Sequence, residues 1–189
     1  MARRVYSAIA SLDGYVNDVD GTFGWAAPDD EVHAFVNDQE REVGTYLYGR
    51  RMYEVMRFWE TAGLEEPLSP VGQDYAEVWR AADKVVYSGT LDAVSTPRTT
   101  LERSFDPAAV VALKDAVDGD LSVGGATLAA SALRAGLVDE CRIYVTPAVV
   151  GGGTPWLPSG LRSRLRLLDE HRFDSGVVHL SYAVGPWAS

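Results

Sequence analysis

The chain has one cysteine, Cys141, and only three histidines, His33, His171 and His179, in 189 residues. A lone cysteine excludes an internal disulfide and a cysteine metal cluster. The histidines have no cysteine or carboxylate partner at metal-ligand spacing, so no metal is expected. Positive charge is scarce: 17 Lys and Arg against 27 Asp and Glu give a formal net charge of -10. That balance opposes attraction to phosphate backbones, and no basic stripe with interleaved aromatics offsets it, so no nucleic-acid partner is expected. No apolar run reaches the length of a membrane span. Met1 leads into Arg3-Arg4-Val5-Tyr6-Ser7 without the apolar core and cleavage pattern of a signal peptide, and the reading is a cytoplasmic protein without membrane association. Also missing are the G-x-S-x-G elbow of serine hydrolases and the H-x-E with P-C-x-x-C of zinc deaminases.

What is present fits one α/β domain over 1–189, long enough to bury a core without staples. Apolar strand-like runs alternate with helical patterns, the sign of a layered domain on a largely parallel sheet. Strands are expected near 4–10, 45–48, 83–87, 98–103, 120–123 and 140–147, and helices near 29–43, 50–58, 73–81, 107–117 and 126–135. Asp106-Pro107 supplies a helix cap and a preset first turn, and Gly136 a helix stop. Arg164 to Phe173 and Val177 to Val184 have β character around the turn Asp174-Ser175-Gly176, which predicts an antiparallel hairpin and so a mixed sheet. The stretch 61–72 and Gly151-Gly152-Gly153 read as surface connections.

The most informative segment is Leu121-Ser122-Val123-Gly124-Gly125-Ala126-Thr127-Leu128-Ala129-Ala130: strand, tight turn, helix. A helix N-terminus beside glycines suits a phosphate, although a glycine pair can equally be no more than a tight turn. Gly49 lets the backbone approach a ligand, and Arg50 and Arg51 open the next helix, where cations oppose the helix dipole. That mismatch points to an anion; the plain alternative is solvated surface charge. Ser88 follows a strand, as turn residues do. Asp30 at a helix start is either a capping acid or a pocket acid, and Thr146 suits a strand with or without a further role. Trp59, Trp79, Trp156 and Trp187 read as packing aromatics.

These patterns fall in one order: Ser11-Leu12-Asp13-Gly14-Tyr15-Val16, Gly24-Trp25 and Pro28-Asp29-Asp30 after the first strand; Gly49-Arg50-Arg51-Met52-Tyr53-Glu54 after the second; Ser88-Gly89-Thr90-Leu91 after the third; Gly124-Gly125 after the fifth. The succession resembles the dihydrofolate reductase-like superfamily, in the branch that contains the reductase domain of the bacterial bifunctional riboflavin-biosynthesis deaminase-reductase, and it covers essentially the whole chain. The resemblance implies a three-layer α/β fold: a mixed, mostly parallel sheet, flanking helices and a C-terminal antiparallel hairpin. It implies NADPH across the C-terminal strand ends, held by Ile9, Val16, Gly49, Arg50, Arg51, Ser88, Gly124, Gly125, Ala126, Thr127 and Leu128, with Ser88 on the adenosine 2′-phosphate. Met52 departs from the pattern, standing where many relatives carry a phosphate-binding threonine. On the substrate side the resemblance implies Asp30 as the carboxylate that holds a ring and assists its protonation, Thr146 as its partner, Trp25 at the pocket border and the Ser11–Trp25 loop as a lid.

The expected activity is an NADPH-dependent reductase transferring hydride to a pyrimidine-type substrate, of the 5-amino-6-(5-phosphoribosylamino)uracil reductase type in riboflavin biosynthesis. The alternatives are a dihydrofolate or other pterin reductase and, in another class, a non-catalytic nucleotide-binding regulator. A folate-lining helix would need Phe35 to line the pocket. A phosphoribosyl group would want a second basic cluster, for which Arg162, Arg164 and Arg166 are candidates, though their alternation equally fits an exposed strand face. A homodimer through the late hairpin is expected from the same resemblance.

Overall fold

The computed structural model describes residues 2–187. In chain order the elements are β1 (Arg4–Ser11), β2 (Tyr15–Asn17), a 3-10 turn (Gly24–Ala26), α1 (Asp30–Glu40), β3 (Val43–Gly49), α2 (Arg50–Met56), α3 (Phe58–Thr61) and α4 (Pro70–Ala81). Then come β4 (Asp83–Tyr87), β5 (Thr99–Glu102), α5 (Pro107–Ala116), β6 (Asp120–Gly124), α6 (Ala126–Arg134), β7 (Glu140–Thr146), β8 (Thr154–Pro155), β9 (Ser163–Arg172) and β10 (Val178–Pro186). Eight strands form one sheet in the order β5-β4-β3-β6-β1-β7-β10-β9, and β2 pairs with β8 in a second, two-stranded sheet. Strands β1, β3, β4, β5, β6 and β7 are parallel; β10 is antiparallel to both its neighbours. This is the mixed, mostly parallel sheet with flanking helices and a C-terminal antiparallel hairpin that the resemblance implies.

Apolar side chains on alternate strand positions divide the core between two faces. On one, Tyr6, Leu47, Leu121, Val123 and Cys141 pack against Val110 of α5 and Leu128, Ala129, Ala132 and Leu133 of α6. On the other, Tyr46, Tyr48, Val86 and Tyr144 meet Val32 of α1, Tyr53 of α2, and Tyr75 and Trp79 of α4. Hence α1 and α6, which follow the adjacent strands β1 and β6, leave the sheet on opposite faces. The crevice between such diverging connections, at the carboxyl ends of the strands, is where α/β sheets bind ligands.

Several boundaries differ from the sequence expectation. The helix expected over 29–43 ends at Glu40, and Val43 opens β3, because Gly44 passes so close to the 118–119 turn that a Cβ there would lie 1.9 Å from the Asp118 carbonyl oxygen. The helix expected over 50–58 is two short helices, and that expected from 73 begins at Pro70, where Ser69 caps Gly72. The strand expected from 98 starts one residue later because Arg98 is left-handed, at φ 53°. The Gly136 stop holds: its φ is 66°, and the Leu137 N–H donates to the Ala132 carbonyl at 2.9 Å, the closing bond of a Schellman cap.

Candidate functional site

Tyr48 and Gly124 are neighbours across β3 and β6, so the two loops that leave these strands, Gly49-Arg50 and Gly124-Gly125, start side by side. Three of the longer helices are capped by side chains: Asp29 accepts from Val32 N–H, Ser69 from Gly72 N–H and Asp106 from Ala108 N–H. Helix α6 is not. Its N-cap is Gly125, at φ 92°, with no side-chain cap and no acid in the first turn. The backbone N–H groups of Ala126, Thr127 and Leu128 therefore have no intrahelical acceptor, at the positive end of the dipole. The glycines are also dictated from inside the protein. A Cβ on Gly124 would lie 2.6 Å from the Tyr48 ring, and one on Gly125 3.2 Å from Met52 Cβ. Met52 is thus packed beneath the glycine pair.

One strand further out, Ser88 follows β4 as a buried residue whose hydroxyl oxygen accepts the N–H groups of Thr90 at 3.3 Å and Leu91 at 3.0 Å. Arg50 binds Glu54 at 2.7 Å and donates to Thr90 Oγ1 at 3.1 Å. Arg51 is exposed and makes no ion pair among the described residues. Sequence reasoning missed Arg103, whose guanidinium donates to the carbonyl oxygens of Leu91 at 2.5 Å and Asp92 at 3.3 Å. Its position beside the Ser88 turn follows from the pairing of β4 with β5, which no local pattern announces.

On the α1 face of the sheet, Ile9 is half-buried on β1 opposite Tyr144, and the buried Thr146 ends β7 beside Ser11, donating to the Ala10 carbonyl at 3.2 Å. Asp30 is the exposed first residue of α1, with the capping done by Asp29. No hydrogen bond joins Asp30 to Thr146 among the described residues. Trp25, in the 3-10 turn, is half-buried, with its indole N–H occluded and without an acceptor among the described residues. Val16 lies on β2, within the expected lid. That loop is fastened to the triple-glycine loop: Asp13 accepts the N–H groups of Val150 at 3.2 Å and Gly151 at 2.7 Å, and the Leu12 N–H donates to the Ala148 carbonyl at 2.7 Å. Gly153 is pressed so close that a Cβ would lie 1.9 Å from the Asn17 carbonyl oxygen.

Two alternatives that the sequence leaves open are decided by placement. Arg162, Arg164 and Arg166 are not near this crevice. Ser163 pairs with Pro186 and Arg172 with Val178, so these arginines lie toward the opposite end of the edge strand β9, with Arg162 and Arg164 over the Trp187 ring. Phe35 does not line a pocket either; its ring turns inward, 5.3 Å from Phe173, 5.0 Å from His179 and 6.3 Å from Tyr144. Neither His, Cys, Asp nor Glu forms a group of three able to hold a metal among the described residues.

With these loops in place, residues 5–179 match the RibD C-terminal domain. The chain belongs to that family. Solved structures agree on the fold of this RibD C-terminal domain. A protein from Shewanella sp. PV-4, provisionally named for riboflavin biosynthesis, superposes with a TM-score of 0.74 at 18% identity, covering 96% of this chain and 98% of that one. The Thermotoga maritima diaminohydroxyphosphoribosylaminopyrimidine deaminase/5-amino-6-(5-phosphoribosylamino)uracil reductase gives 0.65 at 14% identity, over 97% of this chain and 56% of that one. Dihydrofolate reductase from Enterococcus faecalis, in complex with NADP(H), gives 0.58 at 12% identity over 96% of each chain.

The donor set of the RibD C-terminal domain chain fits a nicotinamide dinucleotide. An uncapped helix N-terminus suits a pyrophosphate, and a serine turn flanked by two guanidinium groups suits a further phosphate one strand away. No helix among the described residues is long and apolar enough to cross a membrane.

Proposed function

We propose that the protein is an NADPH-dependent reductase acting on a pyrimidine-type substrate, of the 5-amino-6-(5-phosphoribosylamino)uracil reductase type. The observation that carries this reading is the contrast in capping: α1, α4 and α5 are closed by side chains, while α6 opens behind Gly124-Gly125 with free N–H groups. Bound there, the cofactor would supply the hydride. The chain's own residues bind, orient and exclude water. Ala126, Thr127 and Leu128 offer N–H groups to the pyrophosphate, Gly49 gives close approach, and Ile9 and Val16 offer apolar contact to the nicotinamide half. The fastened Ser11–Trp25 loop covers the crevice, and Trp25, with its unpartnered N–H, borders the substrate. Asp30 and Thr146 hold the substrate ring, and on a pterin-type ring Asp30 would also deliver a proton. The assembly is a cytoplasmic homodimer. Among the described residues the outer edge of β9 is unpaired, and Leu165, Leu167 and Leu168 along it are exposed, the kind of edge that pairs with another strand.

A second reading, a reductase of a non-phosphorylated pterin-type ring, is favoured by one placement: the arginines that are candidates for a phosphoribosyl group lie at the far end of β9. A folate is the less apt pterin, because Phe35 faces the core. The test is NADPH oxidation with the deaminated riboflavin precursor, its dephosphorylated form, dihydrobiopterin and dihydrofolate. Turnover of the phosphorylated precursor alone upholds the first reading, and turnover of pterins alone the second. Tight NADPH binding with no turnover of any would make the chain a nucleotide-binding regulator.

A further inference from the structure

The strand pair β4–β5 brings Arg103 to the same turn that Arg50 touches, and the two arginines differ in what answers their charge. Tyr87 pairs with Glu102, and the Ser88 N–H donates to the Glu102 carbonyl at 2.8 Å. The next residue, Arg103, therefore stands directly beside the Ser88-Gly89 corner, and a Cβ on Gly89 would come within 3.7 Å of the Arg103 carbonyl oxygen. From there its guanidinium reaches the carbonyls of Leu91 and Asp92, while Arg50 holds the other limb through Thr90. Arg50 is balanced by Glu54 at 2.7 Å and feels the Asp92 carboxylate as well. Arg103 has no carboxylate within ion-pair reach among the described residues. Carbonyl oxygens fix a guanidinium without neutralising it, so the uncompensated positive charge at this turn belongs to Arg103.

Resting on the NADPH reading above, we infer that Arg103 is the residue that sets nucleotide specificity: it meets a phosphate ester on the adenosine 2′-oxygen and makes the site prefer it over a free 2′-hydroxyl. Ser88 completes the receptor. Its oxygen already accepts two backbone N–H groups, which leaves the hydroxyl proton free to donate to a phosphate oxygen. Arg50, occupied by Glu54 and Thr90, is a positioning residue that fixes the shape of the turn.

The test is calorimetric binding of adenosine 2′,5′-bisphosphate and of 5′-AMP to the full chain and to Arg103→Gln, Arg103→Lys and Arg50→Gln. Arg103→Gln should weaken the bisphosphate on the order of 10- to 100-fold, the loss of one charge-assisted contact, and leave 5′-AMP unchanged. Arg103→Lys should retain most of the discrimination, because the charge remains although one carbonyl contact is lost. Arg50→Gln should weaken both nucleotides alike. An Arg103→Gln variant that binds the bisphosphate as tightly as wild type overturns the inference. So does equal loss of both nucleotides in that variant, which would make Arg103 a brace for the turn. If wild-type protein binds neither nucleotide nor NADPH, the cofactor reading falls, and the inference falls with it.

Discussion

The ring of Tyr48 fills the space where a residue other than glycine at position 124 would carry its Cβ, with two ring atoms 2.6 Å from that point. The ring cannot swing aside easily. Its hydroxyl oxygen accepts the indole N–H of Trp79 at 3.1 Å, and it stacks on Tyr46 at 5.4 Å. Gly124→Ala should therefore destabilise the fold by about 1–3 kcal/mol, the range for overpacking a closed core. The same change in a Tyr48→Ala background should cost much less, because contacting residues are not additive. Urea unfolding of the two single variants and the double checks this, and additive losses would refute the steric account.

The glycine pair was legible as a strand-turn-helix, but which glycine did what was not. The sequence pointed to a ligand above both; in the structure Gly124 yields to a tyrosine from β3, and Gly125 supplies the positive φ. The helices with local signals, Asp106-Pro107 at the start of α5 and Gly136 after α6, were legible because capping is chemistry within one turn of chain. The β2–β8 pair was not, since strands of three and two residues exist only because the lid loop is bonded to the triple-glycine loop. Arg103 escaped for the same reason: its partners are reached across a strand pair. The ending of α1 at Glu40 also lay beyond local pattern. Glu40 is buried near Tyr46 and Arg142, with burial holding its carboxyl above the usual range.

Asp30 separates the enzymatic readings from the regulator. With Asp29 serving as the cap, Asp30→Asn removes no helix-closing bond, so folding and NADPH affinity should be preserved. On a pterin-type ring, turnover should fall by roughly the 10²- to 10⁴-fold typical of a lost general acid, and less at acid pH, where solvent supplies the proton. In the first reading, where the ribosyl carbon is reduced and the ring is not protonated, the change should appear chiefly in KM. Wild-type kinetics on every accepted substrate would reduce Asp30 to a dipole-favoured surface acid.

Asp13 ties the lid to the triple-glycine loop through two backbone N–H groups, and its carboxyl is held below the usual range by the Ser11 hydroxyl and these bonds. Asp13→Ala should leave the sheet intact and speed amide hydrogen exchange at Val150 and Gly151. NADPH should also dissociate faster, since a looser lid covers the crevice for less of the time. Unchanged exchange at these two amides would mean that the Leu12–Ala148 bond and the β2–β8 pair hold the lid without it.

His179 predicts an acid-side loss of stability. It is 1% exposed, both ring nitrogens lack hydrogen-bond partners among the described residues, and Tyr144 at 4.8 Å and Phe35 at 5.0 Å enclose it. Burial is the main cause that lowers its pKa from 6.5 to about 4. Asp169, 4.0 Å from Nδ1, and Glu140 oppose the shift, while Arg142 and His171 add to it. Because the folded form resists the proton, its stabilising contribution is complete above pH 6.5 and shrinks as pH falls toward 4, where the folded ring finally protonates. Linkage places about 2 kcal/mol of that loss between pH 7 and pH 5. His179→Phe, which suits a pocket already lined by Phe35, Phe173 and Tyr144, should raise stability at neutral pH by removing two unpaired nitrogens, and should lack this part of the pH slope. Urea unfolding of both proteins at pH 7 and pH 5 measures the difference. Parallel losses in the two would mean that the acid sensitivity does not belong to His179, and that the histidine is carried through the transition without changing its charge.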